Sequence, residues 1–374
     1  MRARHYCDYN AGAPARPEAV AALSRALEIG GNASSVHGFG RAAKALIEDA
    51  RETLCGGIGS QSQNLIFTSG ATEALHLALE GARASGAIKS LVISAIEHDA
   101  LHQHARAVGL PIVEFGASAT GVVDLDALAA ALAEAPKPAL VALMLANNET
   151  GVIQPVHRAA AIAREHGAFL LVDAAQAFGR VAVNIADLDA AYLTLSAHKI
   201  GGAPGAGALI LAPGAPFAPS RLGGGQERGA RPGTENAPAI AAFAAAAKIN
   251  RNEENARVAA LRDRFEQGLL NDAIVFGKDA PRLGNTSYFA LPGLSAETSV
   301  IAFDLEGVAV SSGSACSSGK VRQSRVLAAM GVAPHVAKAA LRVSFGWAST
   351  EADVDAALIA VHKIAARRAS VGAV

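Results

Sequence analysis

The chain has 374 residues, of which 51% are hydrophobic and only 5% aromatic, so it can bury a substantial core built from Ala, Val, Leu and Ile with close backbone contacts at its 37 glycines. Thirty-three basic residues balance 33 acidic ones, which removes the global attraction a nucleic-acid binder exploits. Three scattered cysteines, Cys7, Cys55 and Cys316, form neither a CxxC metal knuckle nor a disulfide framework, and no stretch reaches the roughly 20 apolar residues of a membrane span, so the expectation is a cytoplasmic protein in a reducing compartment.

In chain order the periodicity predicts helices over 17–30 and 41–54, strand 64–69, helix 71–84, strand 90–95, helix 98–108, strand 111–115 and helix 124–135. Strand 139–145, helix 156–167 and strands 168–174, 190–196 and 207–212 follow. Short apolar runs alternating with amphipathic helices indicate an α/β layer on a mostly parallel sheet. One long helix, over 236–270, then leads to strands at 273–277, 285–291, 308–312 and 340–345, with helices at 297–305, 321–330 and from 350 onward. The expected organisation is a large α/β domain over 16–250 and a smaller α+β domain formed by 1–15 and 251–374.

Two glycine-rich stretches carry no nucleotide. Gly38-Phe39-Gly40-Arg41-Ala42-Ala43 follows a loop instead of a strand, and Gly202-Ala203-Pro204-Gly205-Ala206-Gly207 lacks the Lys-Ser/Thr of a phosphate loop. Thr68-Ser69-Gly70-Ala71-Thr72-Glu73 is a better anion site, because a strand ends and a helix begins there, leaving free amides and a favourable dipole. A simple helix cap is the competing reading. Asp173 ends an apolar strand, where open α/β sheets place ligands; it either meets a cationic ligand atom or caps the next segment. Lys199, just past another buried strand, is either a desolvated nucleophilic amine or an ordinary surface lysine. Together, a phosphate cradle, a carboxylate for a pyridinium nitrogen and an activated lysine on successive strand ends are what a pyridoxal phosphate enzyme needs. His98 and His102 are four apart, but no third ligand shares their helical register, so no metal is expected.

NASSVHGFGRAA, FTSGATEA, EHDAL, NNETGV, VDAAQAFG, SAHKIGG, GGGQERGARPGTEN, SSGSACSSG and LRVSFG occur in this order along essentially the whole chain. The set resembles the group I cysteine desulfurases of the class V aminotransferase superfamily, SSGSAC being particular to that group. The resemblance implies the fold type I of pyridoxal 5'-phosphate transferases, with a seven-stranded, mostly parallel sheet. It also implies conversion of L-cysteine to L-alanine with the sulfur left as a persulfide on Cys316, a cysteine whose Ser/Gly surroundings suit a mobile exposed loop. A selenocysteine lyase and a catalytically silent sulfur-transfer scaffold are the alternatives.

By the same resemblance Lys199 is the Schiff-base lysine, Asp173 partners the ring nitrogen, Gln176 bonds the phenolic oxygen and His98 stacks on the ring and handles a proton of the substrate thiol. Ala71, Thr72, Ser196 and His198 match the phosphate cradle, and Asn148 contacts cofactor or substrate. Arg342, helped by Asn32, clamps the substrate carboxylate. Thr234 reaches the phosphate of a neighbouring subunit, which implies a homodimer with shared sites. The sulfur acceptor implied is an iron-sulfur scaffold or another acceptor protein. The chain departs from the family pattern at Gly12-Ala13, at Ala203-Pro204 and at Leu75-His76.

Overall fold

The computed structural model describes residues 4–313 and 323–371, the side chains of 367–371 excepted. The chain begins with strand β1 (His5–Tyr6) and helices α1 (Pro17–Ile29) and α2 (Gly38–Ile58). It then alternates through β2 (Leu65–Thr68), α3 (Ala71–Ala84), β3 (Ser90–Ser94), α4 (Asp99–Val108), β4 (Ile112–Phe115), α5 (Leu125–Glu134), β5 (Ala139–Met144), α6 (Val156–Glu165), β6 (Phe169–Asp173), β7 (Tyr192–Ser196) and β8 (Gly207–Leu211). Strands β2 to β8 form a seven-stranded sheet in the order β2-β8-β7-β6-β5-β3-β4, parallel except where β8 pairs with β7 and β2. Every residue of β3, β5 and β7 is buried, because helices cover both sheet faces; this is why those strands read as unbroken apolar runs.

Past the sheet come α7 (Ala237–Ala247) and α8 (Asn252–Gln267). The single helix expected over 236–270 is therefore two helices. At the break the Asn250 carboxamide accepts from the Asn252 amide at 3.1 Å, and the Arg251 guanidinium turns back to the carbonyls of Ile249 and Ala246. Side-chain bonds there replace the intrahelical ladder, which helix propensity alone does not register.

The remaining elements are β9 (Ile274–Val275), β10 (Thr286–Ala290), α9 (Ala296–Leu305), β11 (Val308–Ala309), α10 (Arg325–Ala329), α11 (Pro334–Ala337), β12 (Ala340–Ser344) and α12 (Glu351–Val371). β12, β10 and β9 make an antiparallel sheet, and β1 pairs with β11. This sheet and α8, α9 and α12 share an apolar core that includes Phe265, Phe289, Phe303 and Phe345. The helix expected over 321–330 is confined to Arg325–Ala329 among the described residues, because the Ser324 hydroxyl caps it by accepting from the Leu327 amide at 3.0 Å. No helix of the described residues is long and apolar enough to cross a membrane.

Candidate active site

A cavity of about 390 Å³ lies at the carboxyl ends of β5, β6 and β7, against the N-terminus of α3, where α/β sheets bind ligands. Gly70 opens α3 with no side-chain cap. The Thr68 hydroxyl donates to the Gly70 carbonyl at 2.9 Å, and the Ser69 amide donates to the Glu73 carboxylate at 2.6 Å. Ala71 and Thr72 line the cavity with the uncapped first turn, which favours the anion reading over the capping one. A Cβ on Gly207 would lie 2.5 Å from the Gly70 Cα, so only glycine there lets β8 close on this turn.

Across the cavity the Ser196 hydroxyl meets His198 Nδ1 at 3.0 Å. Burial, with the Lys199 charge beside it, pulls the His198 imidazolium down to about 4, so the ring is neutral at physiological pH. Lys199 Nζ donates to the backbone carbonyls of Asn10 at 2.5 Å and Ala11 at 3.0 Å. Asp173 is buried and uses Oδ1 for both of its bonds, accepting from the Ala175 amide at 2.9 Å and the Thr194 hydroxyl at 3.1 Å. The residue lines the cavity while also turning the chain that follows it.

Gln176 is oriented by two partners that leave it no choice. Arg180 can only donate, and does so to Gln176 Oε1; the Asn10 carbonyl can only accept, and takes Nε2 at 3.0 Å. The amide nitrogen, with one hydrogen to spare, therefore belongs to the cavity side. His98 is the N-cap of α4, its Nδ1 accepting from the Ala100 amide at 3.1 Å, so a neutral ring carries its proton on Nε2.

Arg342 is 3% exposed and borders the same cavity. Its guanidinium donates to the Asn148 carbonyl at 3.0 Å and to Asp8 Oδ1 at 2.8 Å, while Nε is buried without a partner. That orphaned donor suits an incoming carboxylate. Asn148 contributes to the cavity wall and, through its carbonyl, to this clamp.

Two expected residues stand apart. Asn32 is exposed and its Oδ1 accepts from the Ser34 amide at 2.8 Å, and Thr234 is exposed; neither borders the cavity. Cys316 lies outside the described residues. One flank of its segment reaches the site, where Ser311 pairs with the backbone of Arg342; Gly313, where a Cβ would lie 2.7 Å from the Tyr288 ring, and Ser324, whose hydroxyl bonds Glu149 at 2.5 Å, pack on residues outside the cavity wall. His102 is buried and His104 stacks on His76 at 3.6 Å; neither borders the cavity. Among the described residues no three His, Cys, Asp or Glu side chains are grouped to hold a metal.

Sequence reasoning missed Asn10, Glu97 and Arg180. Asn10 joins both sheets: it binds Lys199 and Gln176 through its carbonyl, and Thr286, Asn285 and Ser344 through its side chain and amide. Most of that role uses backbone atoms and distant partners, so no residue signal announces it. Glu97 is buried, with Oε1 on the Met144 amide at 2.7 Å and Oε2 orphaned; burial, with Asp173 nearby, pushes its carboxyl up to about 8. An acid two residues past the predicted apolar strand 90–95 was the available signal.

The aminotransferase class-V family profile matches residues 5–357. A cysteine desulfurase of Gluconacetobacter diazotrophicus is 40% identical over 97% of this chain and 93% of its own length. The cysteine desulfurase IscS of Dictyoglomus turgidum is 35% identical over 97% and 95%. The crystal structure of a NifS-like protein from Rickettsia africae superposes with a TM-score of 0.87 at 32% identity, covering 96% of this chain and 99% of that one.

Proposed function

The chain belongs to the class-V aminotransferase family, among the cysteine desulfurases, and from that premise we propose that it uses pyridoxal 5'-phosphate to convert L-cysteine to L-alanine, leaving the sulfur as a persulfide on Cys316. The observation that carries this reading is the meeting of Lys199, Asp173, Gln176, the open α3 terminus and Arg342 in one cavity. The donor set fits the cofactor. The uncapped turn with Thr72, Ser196 and His198 suits a phosphate, the Asp173 carboxylate suits a protonated ring nitrogen, and the Gln176 amide hydrogen suits an ionised ring oxygen.

When bound, the cofactor supplies an electrophilic aldehyde and a ring that takes up the electrons released at the substrate's alpha carbon. Arg342 holds the substrate carboxylate through Nε and its remaining guanidinium hydrogens, oriented by Asp8 and Asn148. Lys199 Nζ, set by the Asn10 and Ala11 carbonyls, holds the cofactor at rest and then takes the alpha proton. His98, with Nδ1 committed to the Ala100 amide, carries its hydrogen on Nε2 and meets the substrate thiol as a donor. The Cys316 thiolate attacks the substrate sulfur; the S–Cβ bonding pair stays with Cβ, which is protonated, and Lys199 returns a proton to the alpha carbon to give alanine.

The exposed positions of Thr234 and Asn32 support a homodimer in which a second copy completes each site. The acceptor is a sulfur-carrying protein such as an iron-sulfur scaffold, and the compartment is the cytoplasm. The separate apolar core around Phe265 and Phe303 supports division into 16–250 and 1–15 plus 251–374.

Borohydride treatment of the purified enzyme followed by peptide mapping tests the reading: the pyridoxyl adduct is expected on Lys199, and an adduct elsewhere or nowhere refutes it. Cys316→Ala is expected to keep that adduct and lose sulfur release. Undiminished release would favour a selenocysteine-lyase mechanism, and absence of the adduct would favour a silent scaffold.

A further inference from the structure

Lys199 also borders a second, smaller cavity of about 40 Å³. Its wall is electrically lopsided: Arg16, Arg180, Arg251 and Lys199 face a single carboxylate, Glu254. That carboxylate is already engaged, since Arg16 Nη2 donates to it at 2.5 Å. Arg180 spends its Nη groups on Gln176 and on the Lys199 carbonyl, none of which carries charge. Arg251 is 9% exposed; its Nη groups reach the carbonyls of Ile249 and Ala246, and its Nε is buried with no partner.

Neither guanidinium thus has a charged hydrogen-bond partner, and Arg251 shares the one nearby carboxylate with Arg16, which is costly where water is scarce. Burial pulls both below their ordinary value, Arg180, repelled also by Arg342 and Arg251, to about 9, and Arg251, repelled by Arg16 and partly offset by Glu254, to about 10, so both stay charged at physiological pH. Gly179 is on the same wall at φ +77°; a Cβ there would sit 2.9 Å from Ile200 Cγ2 and 3.4 Å from Arg251 Nε, so the wall is closely packed and takes only glycine.

We propose that this cavity is a binding site for a small monovalent anion of the halide class, chloride in the cell, held by Arg251 Nε together with Arg16 and Arg180. The volume exceeds the 10–15 Å³ or so that one water-sized species needs, but not by enough for a metabolite. None of the three arginines borders the larger cavity, so the proposal stands independently of the cofactor and of the reaction. An anion there supplies the negative charge that the walls lack and lies beside Lys199.

Crystals of the enzyme soaked in sodium bromide test it directly: an anomalous bromide peak is expected among Arg16, Arg180 and Arg251, and its absence from the cavity overturns the proposal. In solution, bromide is expected to raise the melting temperature above that in fluoride of equal ionic strength, with saturation. Arg251→Met should abolish the difference. Glu254→Gln removes the one competing carboxylate and should lower the half-saturating bromide concentration by about tenfold. A bromide response identical in wild type and both variants refutes the site, and Glu254→Gln decides the matter alone if Arg251→Met does not fold.

Discussion

Replacing Arg342 with lysine isolates the carboxylate clamp. The guanidinium offers five N–H groups; one goes to the Asn148 carbonyl at 3.0 Å, one to Asp8 at 2.8 Å, and Nε has no protein partner. Three hydrogens therefore remain for a substrate carboxylate, two of which can form a parallel pair. A lysine at this position has three donors on one atom. If it satisfies Asp8 and Asn148 it keeps a single donor for substrate. The loss is one charge-assisted bond plus the planar fit, about 2–4 kcal/mol, or roughly 30- to 1,000-fold in kcat/KM. Because the carboxylate does not react, most of the loss should appear in KM. Alanine formation measured against L-cysteine concentration gives both constants. An unchanged KM for Arg342→Lys, or a defect confined to kcat, would refute the assignment, and an unchanged melting temperature would separate it from misfolding.

Between the ordinary carboxyl value of 4.5 and about 8, folded Glu97 keeps a proton that the unfolded chain has lost. Stability therefore falls as pH rises through this window, by at most about 1.4 kcal/mol per pH unit. Glu97→Gln should flatten that fall in urea unfolding; an unaltered slope would contradict it. Glu227 accepts from both Nη atoms of Arg51, at 2.8 and 2.9 Å, and from the Phe67 amide at 2.9 Å, all buried. Glu227→Gln should cost about 3–5 kcal/mol in urea unfolding, with much of it recovered when Arg51→Met accompanies Glu227→Leu; a loss near zero in the single variant would sink this reading. Burial lifts the Cys55 thiol to about 11 and Cys7 higher, so iodoacetamide should leave both unmodified in the native protein at neutral pH and label them after unfolding; early labelling of either would contradict their burial.

Strand and helix order was legible because each element carries its own periodicity: β5 and β6 are apolar on both faces, and α3 begins directly after a strand in a Gly-Ala-Thr turn. The candidate cavity residues were legible for a related reason, since Thr72, Asp173, Ser196 and Lys199 sit within four residues of strand ends, and a parallel sheet brings such ends to one edge. The break between α7 and α8 was not, because alanine-rich sequence favours helix while the Asn250 and Arg251 side chains compete for its backbone.

The amino-acid sequence alone thus determined the α/β layer, the family resemblance and which residues are candidates for the site. Only the tertiary structure decided that Asn10 clasps Lys199 from 189 positions away, that Arg180 and Asn10 turn the Gln176 amide, and that three arginines share a wall with one carboxylate. Periodicity and propensity are properties of neighbours along the chain. Hydrogen-bond direction and local charge balance depend on groups that become neighbours only when the two sheets close on each other.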